Sequence, residues 1–155
     1  MNIRADIETL RRIPIFSDCD PVHLQLIAFS AERVSFEAGQ AIIREGAEAA
    51  AACLVLGGEA VLSTIGEGRI GSAGPGAMLG EIAMIGERPY AVTATAVEPV
   101  TAARISRELF MRVAREFPDF GAAVFRVLAA RLDQSMREIG AARLGFDAAR
   151  SFKDI

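Results

Sequence analysis

The spacing of apolar and polar positions changes twice along the chain. Residues 2 to 12 pattern as a short helix, and Asp20-Pro21 predicts the start of a second. An aspartate there accepts free backbone N–H groups and a proline fixes the first turn. That helix is expected to end near Ser30. From Arg33 onward short apolar runs alternate with Glu37-Ala-Gly39, Glu45-Gly46, Gly57-Gly58, Gly66-Glu-Gly68 and Gly74-Pro-Gly76. Turn signals spaced about 8 to 12 residues apart predict short antiparallel strands in a β-sandwich or small barrel, where closure hides the strand edges. After Ile105 the glycines thin out, Ser106 offers a helix cap, and apolar residues recur at three- and four-residue steps until Phe117-Pro118 forces a break. A last helix follows, with a narrow seam through Phe125, Leu128, Leu132, Ser135, Ile139, Ala142 and Phe146. Such a stripe needs a partner, either the barrel of its own chain or a second copy in a two-stranded coiled coil.

The expected fold class is therefore α+β, mainly β: a double-stranded β-helix, or jelly-roll-like β-roll, flanked by N-terminal and C-terminal helices. One domain is expected over 1–155, with helices over 2–30, the β-roll over 33–105, C-terminal helices over 106–144 and a tail over 145–155.

Composition agrees with a packed domain. A chain of 155 residues that is 52% hydrophobic can bury a sizeable core, which excludes a disordered linker. The longest uncharged apolar stretch, Ala49 to Gly58, is too short to span a bilayer, and no targeting pattern opens the sequence. No membrane partner is expected, and the expected location is cytoplasmic. Cys19 and Cys53 match neither a disulfide framework nor a metal spacing, so each reads as a small apolar residue. His23 has no second ligand at metal spacing and reads as structural. No metal or cofactor is expected, and no nucleophile with an evident base suggests an enzyme. The net charge of -3 repels anions at long range, so capture of an anionic ligand must rest on local donors. The arginines from Arg104 to Arg137 are interleaved with acids and read as a solvated helix face. Their excess is too small for a nucleic-acid footprint.

One segment, Gly76 to Ala91, asks for a ligand. Gly80 lets the backbone approach closely, and Glu81 to Ile85 can make one helical turn whose free N–H groups face outward. Helix starts favour anions. Glu81 can accept a hydrogen bond from a sugar hydroxyl, or it can simply be an acidic residue favoured by the helix dipole.

Arg33 to Leu132 resembles the cyclic nucleotide-binding domain of the catabolite activator protein and of the regulatory subunit of the cyclic-AMP-dependent kinase. The resemblance rests on Phe36-Glu-Ala-Gly39, Ile43-Arg-Glu-Gly46, Leu56-Gly-Gly58, Gly74-Pro-Gly76, Leu79-Gly80-Glu81-Ile-Ala-Met-Ile, Pro89, Ser106-Arg-Glu-Leu-Phe110 and Leu128-Ala-Ala-Arg-Leu132. It implies an eight-stranded β-roll with a phosphate-binding cassette and helices that move on binding. Carried over, the backbone of Gly80, Glu81, Ile82 and Ala83 faces the cyclic phosphate, Glu81 bonds the ribose 2′-hydroxyl, and Ser135 falls where the adenine amino group is contacted. The implied ligand is cyclic AMP or cyclic GMP. Members that bind it place an arginine directly after the cassette proline, followed by a small residue; here Tyr90 stands there, followed by Ala91. Tyrosine offers one neutral donor where arginine offers a charged pair. Arg88 either compensates by reaching back or is a solvated loop arginine paired with Glu87. Tyr90 reads as an aromatic filling the pocket mouth or the face of a strand. The expected function is a stand-alone regulatory module, or else a pseudo-receptor whose C-terminal helix forms a homodimer or binds another protein. Only a short tail follows that helix, so direct DNA reading is not expected.

Overall fold

The computed structural model describes residues 3–86, 88–131, 133, 134 and 137. Two helices precede the strands, α1 (Ile3–Arg11) and α2 (Pro21–Ser30), with a single 3₁₀ turn at Pro14–Phe16 between them. The Asp20 carboxylate accepts from the Val22 amide at 2.9 Å and caps α2, with Pro21 at its first position. Eight strands then run from Glu32 to Ser106. They are β1 (Glu32–Phe36), β2 (Ala41–Ile43), β3 (Ala51–Gly57), β4 (Ala60–Thr64), β5 (Gly68–Ala73), β6 (Met78–Leu79), β7 (Thr93–Ala96) and β8 (Val100–Ser106). A one-turn helix α3 (Glu81–Ile85) interrupts them between β6 and β7. The chain ends its described part in α4 (Arg107–Glu116) and a further helical run over 118–131.

The strands form two four-stranded antiparallel sheets, ordered β1-β8-β3-β6 and β2-β7-β4-β5. This is the jelly-roll-like arrangement that the turn spacing predicts. β3 occupies the middle of the first sheet and explains how the molecule is layered. Its residues Ala51 to Val55 are all buried, and alternate side chains enter two different cores. Ala52 and Leu54 join the helices in a core with Phe16, Phe110 and Phe120, whereas Cys53 and Val55 point between the sheets toward Ala60, Ala94 and Val100. A strand covered on both faces reads as a continuous apolar run, which is what Ala49 to Gly58 is. The tight turn after it needs Gly58: its φ is +88°, and a Cβ there would lie 2.2 Å from the Pro99 carbonyl oxygen.

The helical core is held by the aromatic set Phe16, Phe110 and Phe120, with ring centroids 5.5 Å apart for Phe110–Phe120 and 6.1 Å for Phe16–Phe120. Burying each such ring contributes roughly 1.5–3 kcal/mol. His23 packs its ring 4.7 Å from that of Phe117, in keeping with a structural role. The seam expected along the last helix divides at its first step. Phe125 is 61% exposed, while Leu128 packs partly against the helical core. The positions from Leu132 through Phe146 that would continue the seam lie outside the described residues.

Candidate functional site

The turn that follows β6 is built around Gly80. Its φ of +76° lies in the left-handed region, and a Cβ there would stand 2.6 Å from Cε1 of Tyr90, so backbone conformation and packing both demand glycine. The first bond inside α3 runs from the Met84 N–H to the Gly80 carbonyl at 3.2 Å, and the amides of Glu81, Ile82 and Ala83 lie ahead of it. Met84 is fully buried in the helical core and fixes the inner side of the turn, while Ile82, 54% exposed, stands on its outer side.

A cavity of about 440 Å³ opens in front of this turn, with Ile43, Gly80, Glu81, Arg88, Tyr90 and Val92 in its walls. Ile82, Pro89 and Ala91 complete it. Tyr90 is half-buried, and its hydroxyl donates to the Ala51 carbonyl of β3 at 2.7 Å. Its single donor is therefore spent within the chain. Burial is the main cause that pushes the phenol pKa up, with Cys53 nearby acting in the same direction. Arg88 is exposed at the rim, and among the described residues its guanidinium has no ion-pair partner. It also borders a second cavity of about 500 Å³ whose walls include Glu48 and Arg107.

Two ties connect the turn to the C-terminal helices. The Arg107 guanidinium donates to the Ala49 carbonyl at 2.7 Å and to the Gly86 carbonyl at 2.9 Å, while its backbone N–H reaches the Ala50 carbonyl at 2.7 Å. The first residue of α4 thus clamps the end of α3 to the chain entering β3. Farther along, Nη1 of Arg131 lies 2.9 Å from Oε1 of Glu81. A pair this exposed adds at most about 1 kcal/mol to stability. Its importance is positional, because it joins the turn to the helix 50 residues later.

Of the residues expected at a ligand site, Gly80, Glu81, Ile82, Arg88, Tyr90 and Ala91 all meet at the cavity, and Ala83 belongs to the same turn. Ser135 lies outside the described residues, as does Glu87, the partner considered for Arg88. The reading of the arginines from Arg104 to Arg137 as a solvated face needs correction. Arg107 and Arg131 are tertiary anchors of the turn. The sequence held a signal for each: Arg107 is a cation in the first turn of a helix, against the dipole. Arg131 has no acid three or four positions away to pair with along its own helix. Among the described residues no group of three His, Cys, Asp or Glu side chains can hold a metal ion.

Comparison with known proteins bears directly on this arrangement. The model of the family described as "Cyclic nucleotide-binding domain" matches residues 33–117. A cAMP-dependent protein kinase regulatory subunit from Aspergillus fumigatus is 32% identical over 105 residues, covering 67% of this chain. The chain spans 25% of that protein's length. Among solved structures, a cyclic nucleotide-binding-like protein from Brucella abortus is 34% identical, with a TM-score of 0.65, over 72% of this chain and 98% of that one. The regulatory domain of Toxoplasma gondii PKA, solved with cAMP, is 25% identical with a TM-score of 0.66, over 72% of this chain and 44% of that one.

Proposed function

The chain belongs to the cyclic nucleotide-binding domain family, and on that premise we propose that it is a regulatory module. Its α3 cavity takes cyclic AMP or cyclic GMP and passes the binding event to the helices after the β-roll. The observation that carries this reading is the ion pair between Glu81 and Arg131. A ribose hydroxyl entering the cavity donates to the Glu81 carboxylate, the acceptor that Arg131 already uses. Ligand and helix therefore draw on one group, and occupancy biases the helix between two arrangements. No bond in the ligand is made or broken. Among the described residues no helix is long and apolar enough to cross a membrane, and a cytoplasmic location accords with the proposal.

Affinity is reduced relative to a cassette that carries the arginine. Tyr90 stands in that place with its hydroxyl committed to Ala51. A charge-assisted hydrogen bond lost from the phosphate costs about 1.5–3 kcal/mol, or one to two powers of ten in affinity. Arg88, at the rim of the same cavity, is the cation that can recover part of it.

Calorimetric titration with both nucleotides tests the proposal. Weak binding is expected for the natural chain, and Tyr90→Arg is expected to tighten it by about one to two powers of ten. Absence of heat at millimolar nucleotide in both proteins overturns it. A second reading then stands: a pseudo-receptor scaffold that dimerises or binds another protein through its last helix. The 61% exposure of Phe125 favours it, and light scattering that finds a monomer at all concentrations counts against the dimer.

A further inference from the structure

The α3 cavity has a neighbour. Arg88 and Pro89 stand in its wall and also in the wall of the second cavity, about 500 Å³, which Gly46, Glu48, Ala49 and Arg107 complete. The two spaces therefore adjoin along one loop, with the exposed Arg88 guanidinium at the border of both. Their charges differ. In the α3 cavity the Glu81 carboxylate is matched by Arg131 at 2.9 Å, and the donors for an anion are the turn amides of Glu81, Ile82 and Ala83. The second cavity sets two guanidinium groups, Arg88 and Arg107, against one carboxylate, Glu48. Arg107 donates to the Ala49 and Gly86 carbonyls, and these neutral acceptors hold its side chain in place without cancelling its charge. Glu48 is exposed and has no ion-pair partner among the described residues.

From this arrangement we infer that the chain takes a cyclic dinucleotide across both cavities, in preference to a cyclic mononucleotide. The inference rests on the reading of the α3 cavity as a nucleotide site. One half of the ligand keeps every contact of that reading: its phosphate lies on the turn amides and its ribose 2′-hydroxyl donates to Glu81. The second phosphate then meets Arg88 within the field of Arg107, where a charge-assisted hydrogen bond adds to affinity. The second half also brings hydroxyl and base N–H donors to Glu48, an acceptor-only side chain. A mononucleotide with its one phosphate on the turn amides has no group for the second cavity. Volumes of about 440 and 500 Å³ suit one half of such a ligand each. Tyr90 supports the same assignment. With no cation directly after Pro89, the positive charge of this loop is Arg88, which stands at the border of the two cavities rather than over the turn amides alone.

The test is calorimetric titration of the full chain with cyclic di-GMP, cyclic di-AMP, cyclic AMP and cyclic GMP. At least one dinucleotide is expected to bind about ten- to a hundredfold more tightly than either mononucleotide, the gain from one added charge-assisted bond. Arg88→Gln is expected to remove most of that gain. Glu48→Trp places a bulky ring in the second cavity alone. It is expected to weaken the dinucleotide by about tenfold or more and to leave the mononucleotides unchanged. Both residues are exposed, and circular dichroism verifies that the variants fold. A mononucleotide that binds as tightly as both dinucleotides overturns the inference and leaves the mononucleotide reading standing. A dinucleotide affinity that neither variant lowers also overturns it, as does Glu48→Trp weakening both ligand classes equally. Dinucleotide binding with no mononucleotide heat at millimolar concentration upholds the inference and replaces the mononucleotide as ligand. No heat from any of the four overturns it as well, and the Tyr90→Arg titration then decides the mononucleotide reading on its own.

Discussion

Gly80 and Tyr90 act as one unit. The ring occupies the space a Cβ would need, and the hydroxyl ties the ring to β3 through the Ala51 carbonyl. Gly80→Ala is expected to destabilise the protein by at least about 2 kcal/mol, since it adds a clash to a left-handed backbone. The two causes are separable. In a Tyr90→Ala background the clash is gone and only the backbone strain remains, so urea denaturation of the double-mutant cycle is expected to give less than the sum of the single effects. Additive effects would mean that ring and glycine do not touch. Tyr90→Phe keeps the ring and removes the hydrogen bond, for an expected loss of about 1 kcal/mol. The same substitution leaves the Gly80 contact intact, so it distinguishes the hydroxyl's contribution from that of the ring.

At the scale of elements, α4 shows which features a sequence discloses and which it withholds. Ser106 accepts from the Leu109 amide at 3.0 Å and caps the helix, as its position before an apolar-periodic run predicts. Ser106→Ala is expected to cost about 1 kcal/mol in chemical denaturation, with unchanged ligand binding. Caps are legible because donor and acceptor lie within one turn of each other; Asp20 on α2 is the same case. The strands are legible for a related reason, since turn glycines announce themselves locally and the alternation within β3 assigns Ala52 and Cys53 to opposite faces. The anchors of the site are not. Arg107 finds its acceptors 58 and 21 residues away, and Arg131 finds Glu81 at a separation of 50. Sequence spacing shows that such arginines lack a helical partner, but only the closed β-roll decides what they meet. Arg107→Met removes the clamp on the Gly86 carbonyl while keeping much of the packing. Faster hydrogen exchange is expected at the amides of Met84 in α3 and of Gly86, which caps its end, and unchanged exchange would show that α3 is held by Met84 burial alone.

For the molecule as a whole, its two cores share an alkaline limit. Cys19 sits in the helical core and Cys53 between the sheets, each less than 10% exposed. Burial is the leading cause that raises both thiols, Cys19 to about 11, with Asp18 adding to the effect and Arg126 opposing it. Tyr90 shifts in the same direction. Below the unfolded thiol value of 9.0 these groups are neutral in both states and contribute nothing to the pH dependence. As pH rises beyond it, the unfolded chain releases its thiol protons first, and stability must fall until the folded thiols also ionise. For Cys19 that window runs from 9.0 to about 11. Urea denaturation across this range is expected to show a steady decline in the midpoint. Cys19→Ala retains a small apolar side chain and takes away one titrating group. It is expected to lower stability at neutral pH by leaving a small void, yet to flatten the alkaline decline. A variant whose midpoint falls as steeply as that of the natural chain would show that the Cys19 thiol meets water freely in the folded state. The helical-core packing that buries it would then be looser than the full burial of Phe16 and Leu24 in the same core requires.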